Sequence, residues 1–261
     1  MAHLRCDFFS EVLALNTSMT VILPQPVGTQ TGMAHRTGTD PPPVLYLLHG
    51  LSDDDTTWSR RTSIERYVQP LGLAVVMPQV HRSLYVDEAY GGRYWTFLSE
   101  ELPALVASLF RVSTRPEDTF VAGHSMGGYG ALRWVLRQPK RFAAAASLSG
   151  GVNVAGLRTG RVRPADPRLV DRVFGDAELA GSEHDLFALL DRTPAADLPP
   201  LYLCCGTEDP VYPDNRAFET ACARAEIPLT TRFGPGGHDW AYWDAEIQHV
   251  LSWLPTRRGR P

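Results

Sequence analysis

The stretch Phe120–Trp134, FVAGHSMGGYGALRW, decides how this chain folds. A short apolar run, FVA, enters a serine flanked by glycines, and a helical pattern, GGYGALRWVL, leaves it. Gly123 and Gly127 stand two residues either side of Ser125, as in G-x-S-x-G. A sharp strand-to-helix turn explains that spacing. The serine takes a strained conformation, and the residues two before and two after it approach so closely that a Cβ would clash. Such a turn lifts the hydroxyl above the sheet and aims the unpaired N–H groups of the next helix at it. Ser125 is therefore the candidate nucleophile, and a glycine-rich structural turn is the plain alternative.

The surrounding chain supplies the sheet that this turn needs. Residues Leu15 to Leu23, LNTSMTVIL, alternate as an opening strand. Continuous apolar runs follow: VLYLL (Val44 to Leu48), LAVVM (Leu73 to Met77), FVA, AAAASL (Ala143 to Leu148) and LYLCC (Leu201 to Cys205). Runs of this kind suit strands buried on both faces of a parallel sheet. Helical patterns lie between them, including a stripe of Leu98, Leu102, Leu105, Val106 and Leu109, and segments at 127–138, 215–225 and 240–253. The alternation predicts an α/β chain with a mostly parallel central sheet and helices on both faces. At 261 residues it reads as a single domain spanning 1–261. Residues 24–43, rich in Pro, Gly and Thr, read as an exposed connection. Residues 151–200 break the rhythm and read as a cap-like insertion, with short helical pieces at Leu169 to Phe174 and His184 to Leu190; a plain excursion is the alternative.

A serine hydroxyl needs a base, and on such a scaffold the partners follow in the order serine, acid, histidine. His238, in FGPGGHDW just past the strand-like LTTRF, fits the base; His184 in the insertion and His249 in the last helical pattern fit less well. The acid should follow LYLCCG. Glu208 and Asp209 both qualify, and Asp209 is preferred because Pro210 biases it to an extended backbone; Asp214 and Asp239 are more distant options. A tetrahedral intermediate also needs two donors: the N–H of Met126, after the serine, and one from HGLSDDDTTW, best placed at Leu51. Asp53, Asp54 and Asp55 are consecutive, lack the spacing of a calcium loop, and read as a solvated turn.

Composition narrows the partners. The net charge is −4, so no basic footprint points to nucleic acid. No run is long and apolar enough for a membrane span. Cys6, Cys204, Cys205 and Cys222 have neither zinc nor disulfide spacing, and Cys204 and Cys205 should face opposite sides of a strand. With no signal pattern in MAHLRCDFFSEV, these thiols fit a reducing cytoplasm. No metal or cofactor is implied. The oligomeric state is not set by the sequence, and a homo-oligomer stays open.

Several stretches together carry a family likeness: LYLLHGLSDDDTTWSRRTSIERY, LAVVMPQVHRSLYVDEAYGGRYWTFLSEELP, VAGHSMGGYGALRWVLRQPKRFAAAASLSG, LCCGTEDPVYPDN and GGHDW. Over most of its length the chain resembles the esterase D family of α/β-hydrolases, and within it the tributyrin-esterase-like bacterial carboxylesterases. The resemblance implies a serine carboxylesterase acting on short acyl esters, acetyl to butyryl, through Ser125, Asp209 and His238, with Leu51 and Met126 forming the oxyanion hole. It also brings alternatives known among relatives: S-formylglutathione hydrolysis, action on acetylated or feruloylated sugars, or acyl transfer to a sugar or alcohol. Trp58, just after the HGL loop, and Trp95, beside Tyr94 and Phe97, are candidate substrate-binding residues that would leave little room for a long acyl chain; core packing is the alternative. Arg158, Arg161 and Arg163 read as a solvated surface.

Overall fold

The computed structural model describes residues 1–25, 39–159, 166 and 168–256. Most of the Pro, Gly and Thr-rich connection, together with Arg161 and Arg163, lies outside the described residues.

Eight strands form one sheet: β1 (Ala2–Ser10), β2 (Leu15–Leu23), β3 (Val44–Leu48), β4 (Ala74–Pro78), β5 (Thr119–His124), β6 (Ala144–Leu148), β7 (Leu201–Gly206) and β8 (Leu229–Gly234). Their spatial order is β1-β2-β4-β3-β5-β6-β7-β8. Strands β3 to β8 run parallel, and β1 and β2 are antiparallel additions on one edge. The continuous apolar runs exist because each central strand is buried on both faces. In β3, Val44, Tyr46 and Leu48 enter one core layer, while Leu45 and Leu47 enter the other. Burying each such side chain is worth about 1.5–3 kcal/mol.

The helices are α1 (Thr57–Arg61), α2 (Ile64–Val68), α3 (Tyr94–Thr96), α4 (Leu102–Leu109), α5 (Met126–Arg137), α6 (Ala155–Arg158), α7 (Leu169–Phe174), α8 (Leu186–Arg192), α9 (Tyr212–Arg224) and α10 (Trp240–Trp253). Side chains of α1, α2 and α10 fill one layer, and those of α4, α5, α7, α8 and α9 fill the other. Both faces of the sheet are thus covered, as a parallel sheet requires. No helix among the described residues is long and apolar enough to cross a membrane.

Two elements depart from the sequence reading. The sheet opens one strand earlier than expected, at β1. Its inward positions Cys6 and Phe8 are only partly buried on the core, and the intervening His3, Arg5, Asp7 and Phe9 are exposed, so an edge strand left no clear apolar signature. The helix around residues 98–110 is interrupted by a π turn at Phe97–Glu101. Pro103 brings no N–H to the ladder there, and the extra residue of a π turn rotates the helical turns after it. Leu98, Leu102 and Val106 remain buried, but Leu109 is turned out to 50% exposure.

The 151–200 segment contributes α6, α7 and α8. It is tied to the loop after β4 by the N–H groups of Ala89 and Tyr90, which donate to Val173 and Arg172 carbonyls. It is tied to α5 by the Tyr129 hydroxyl, which donates to the His184 carbonyl at 2.9 Å.

Candidate active site

Strand β5 ends at His124, and the chain turns at Ser125 with φ 52° and ψ −118° before α5 begins at Met126. That left-handed backbone is unfavourable for a serine. Local bonds hold it: the Ser125 N–H donates to the Leu148 carbonyl at 2.9 Å, and its carbonyl accepts from Tyr129 and Gly151. The flanking glycines are required by contact. A Cβ on Gly123 would lie 2.4 Å from the Gly127 carbonyl oxygen, and one on Gly127 would lie 2.3 Å from that of Leu48.

Past β8, the Pro235–Gly237 turn delivers His238 over the same end of the sheet. Its Nε2 lies 2.9 Å from Ser125 Oγ. Its Nδ1 lies 2.8 Å and 3.0 Å from the two carboxylate oxygens of Asp209. Asp209 is 3% exposed, in the turn after β7, where the Val211 N–H also donates to its Oδ1 at 2.9 Å. Burial pushes this carboxyl up, but hydrogen bonds from His238 and Val211 outweigh it and hold the group below the ordinary aspartate value. The structure therefore brings together Ser125, His238 and Asp209.

The other candidates lie elsewhere. Glu208 is exposed; its carboxylate accepts the Gly236 N–H and the Thr207 hydroxyl, bracing the histidine loop. Asp214 accepts from Asn153, Asp239 caps α10 through the Tyr242 N–H, His249 is exposed on α10, and His184 packs on Phe174.

The HGL turn after β3 is fixed by its histidine. His49 Nδ1–H donates to the Gly50 carbonyl at 2.7 Å, and Nε2 accepts from the Val80 N–H at 3.2 Å. Among the described residues, no backbone carbonyl takes the N–H of Leu51 or of Met126. Beside Leu51 opens a cleft of about 560 Å³, whose walls include His81, Arg82, Tyr90, Tyr94 and Arg172. Sequence reasoning missed most of this wall. His81, Leu84 and Tyr85 all have left-handed φ, in a loop with no periodic pattern to mark it.

Trp58 and Trp95 need correction as candidate substrate contacts. Trp58 is 1% exposed and donates its indole N–H to the Leu48 carbonyl, so it is core beneath the HGL turn. The Trp95 ring takes the guanidinium groups of Arg133 and Arg137, 4.4 and 4.6 Å from its centroid. Those arginines lie two to three helical turns beyond Ser125. Both indoles went to packing because large rings bury much apolar area. Of the aromatic residues named with them, Tyr94 lines the cleft and Phe97 is fully buried. Arg158 is engaged by the Gly175 and Ala177 carbonyls. Cys204 and Cys205 do face opposite sides, Cys204 in the α10 layer and Cys205 beside Ser149 and Asp209.

The three aspartates are not a solvated run. Asp55 is 3% exposed and accepts from Ser18 and Thr20 of β2. Asp54 accepts from Thr56 and Thr57 at the start of α1; burial opposes its charge, but these bonds and Arg60 bring it to about 2. Asp53 accepts from His124, whose Nε2 is 2.8 Å from its Oδ2. His124 is 1% exposed, and burial, opposed by Asp53, brings its pKa down to about 4.

A stability profile follows from that shift. The folded value lies below the 6.5 of a free imidazole, so the unfolded chain binds the proton first as pH falls. Stability is full above about 6.5 and should drop by about 2–3 kcal/mol by pH 4.5 from His124 alone. His184, brought to about 4 by burial and Arg133, adds in the same direction. Urea unfolding at pH 7.5 and 4.5 checks the loss, and an NMR titration should show the His124 ring unshifted between pH 8 and 5.5.

Comparison with known proteins agrees with this architecture. Residues 12–254 match the family described as "Putative esterase". An acetyl esterase of Caldicellulosiruptor saccharolyticus is 30% identical over 97% of this chain and 98% of its own. Among solved structures, the Staphylococcus aureus fluorophosphonate-binding serine hydrolase FphF superposes with a TM-score of 0.86 at 37% identity, covering 97% of this chain and 98% of its own. The S-formylglutathione hydrolase FrmB of Staphylococcus aureus gives 0.84 at 37% identity with the same coverage. The strand order, the helices on both faces and the serine at the tight turn after β5 thus have one explanation: the chain belongs to this esterase family, has the α/β-hydrolase fold, and is a serine carboxylesterase.

Proposed function

We propose that Ser125, His238 and Asp209 are the catalytic triad of an esterase for short acyl chains, acetyl to butyryl. The observation that carries this reading is the unbroken relay from Asp209 through the His238 ring to Ser125 Oγ, with contacts of 2.8 and 2.9 Å. Asp209 holds the proton on Nδ1, which leaves the Nε2 lone pair facing the serine hydroxyl. The hydroxyl attacks the ester carbon as Nε2 takes its proton. The carbonyl oxygen becomes an oxyanion, received by the N–H groups of Leu51 and Met126. The imidazolium then protonates the leaving alcohol as the carbon–oxygen bond breaks, and an acyl-serine remains. Water, deprotonated by the same nitrogen, releases the acid and restores the hydroxyl.

The acetyl esterase relative supports a small acyl group. The polar cleft beside Leu51, with its histidine, arginine and tyrosine walls, supports a hydrophilic leaving group. The likeness to FrmB favours a second reading in which that leaving group is a thiol and the substrate S-formylglutathione. All four cysteines are free, which supports a reducing compartment such as the cytoplasm. A panel of p-nitrophenyl esters from C2 to C12, with acetylated sugars and S-formylglutathione, tests the assignment. The expected kcat/KM is highest at C2–C4 and at least about tenfold lower at C8, since each added methylene that finds no pocket forfeits binding. A maximum at C8 or longer would refute the short-chain preference. A thioester turned over far faster than every oxygen ester would favour the second reading.

A further inference from the structure

The mechanism above leaves unused a second carboxylate–imidazole pair directly beneath the site. His124 immediately precedes Ser125, and Asp53 lies two residues past Leu51. One oxygen of Asp53, Oδ2, takes two hydrogen bonds: His124 Nε2 at 2.8 Å and the Gly50 N–H at 3.2 Å. The Asp53 N–H returns to the Gly50 carbonyl at 3.3 Å, closing the turn that carries Leu51. The contact is tight. A Cβ on Gly50 would lie 2.6 Å from His124 Nε2 and 2.8 Å from Asp53 Oδ2.

The imidazole itself cannot swing. Its ring is enclosed by Trp58, Trp240 and Trp243, with centroids 5.0, 4.6 and 4.3 Å away. Trp243 also meets the His238 ring edge-on at 4.9 Å. Among the described residues, His124 Nδ1 is buried with no hydrogen-bond partner. A proton there would be an orphaned donor, so the neutral form with hydrogen on Nε2 is preferred. This pair is therefore a fixed hydrogen bond rather than a proton relay.

We propose that Asp53 and His124 are positioning residues that lock the Leu51 turn to the Ser125 turn, setting the oxyanion donor at its working distance from the nucleophile. This rests on the assignment of Leu51 as that donor. The two N–H groups of the oxyanion hole come from separate loops, after β3 and after β5, and the Gly50–Asp53–His124 contact spans them by side chains. A donor displaced by about 1 Å can cost roughly 10²-fold in rate.

The test compares Asp53→Ala with Asp53→Asn on p-nitrophenyl acetate. Alanine removes the acceptor of both bonds; asparagine keeps one oxygen that can serve them. Asp53→Ala should lower kcat by about 10- to 100-fold with KM within about threefold, and Asp53→Asn should recover most of that loss. Burst amplitude per serine should persist while the burst slows. His124→Phe, which fills the tryptophan cage without the donor, should repeat the alanine result and decides the matter if Asp53→Ala does not fold. A kcat within twofold of wild type in the alanine or phenylalanine variant overturns the proposal, as does a loss carried by KM or an asparagine variant as slow as the alanine one. Those outcomes leave the triad standing. Full activity in Ser125→Ala would instead remove both readings together.

Discussion

Replacing Ser125 with alanine is expected to cut kcat for p-nitrophenyl acetate by about 10⁴- to 10⁶-fold and to leave the fold almost unchanged. The two halves of this expectation have separate causes. The side chain's hydroxyl makes a bond to His238 Nε2 at 2.9 Å, on a histidine side chain that is 32% exposed. Losing an exposed bond of this kind alters stability by about 0.5 kcal/mol or less, or about 1–2 °C in Tm. The strained φ of 52° is borne by backbone bonds to Leu148, Tyr129 and Gly151, which alanine keeps. The rate falls because the variant lacks the hydroxyl that attacks the acyl carbon and gives its proton to the Nε2 lone pair. Residual turnover would come from the two backbone donors alone. Stopped-flow kinetics with intact-mass analysis after fluorophosphonate treatment would check both halves. Wild type should gain one adduct, and the variant none. An alanine variant that still labels and turns over would place the nucleophile elsewhere.

Much of this arrangement was legible because its causes are local. Gly123 and Gly127 are dictated by backbone contacts of 2.4 and 2.3 Å with a hypothetical Cβ, so the pentapeptide records the tight turn directly. The parallel sheet was legible for a similar reason. A strand buried on both faces is apolar at nearly every position, and β3, β4 and β6 are buried throughout. What escaped depended on partners distant in sequence. Asp53 and Asp55 look like surface acids until His124 and the β2 hydroxyls arrive from elsewhere in the chain. Trp58 and Trp95 look like pocket walls until the Leu48 carbonyl and the α5 arginines claim them. Strand β1 escaped because an edge strand half-exposed on its inward side lacks the alternation that marks burial.

The acid is where sequence left the finest choice, between adjacent carboxylates at 208 and 209, and the geometry gives that choice a sharp consequence. Asp209→Asn is expected to reduce kcat by about 10³- to 10⁴-fold, although it changes one atom. The reason lies in the Val211 N–H, which donates to Asp209 Oδ1 at 2.9 Å. An asparagine must keep its oxygen there to avoid facing donor with donor. Its NH₂ then occupies the Oδ2 position, 2.8 Å from His238 Nδ1. The amide donor at that shorter contact favours a lone pair on Nδ1 over the 3.0 Å bond that the oxygen at the Oδ1 position still offers, so the ring proton shifts to Nε2. Nε2 then points a hydrogen at Ser125 Oγ and cannot accept one. The loss should therefore fall on kcat and on the rate of fluorophosphonate labelling, with KM little changed. Glu208→Gln should stay within about threefold of wild type, because that side chain reaches the Gly236 N–H and Thr207 rather than the imidazole. If the glutamine variant lost the activity and the asparagine variant kept it, the acid would be Glu208, and the relay through Asp209 would be packing without a catalytic role.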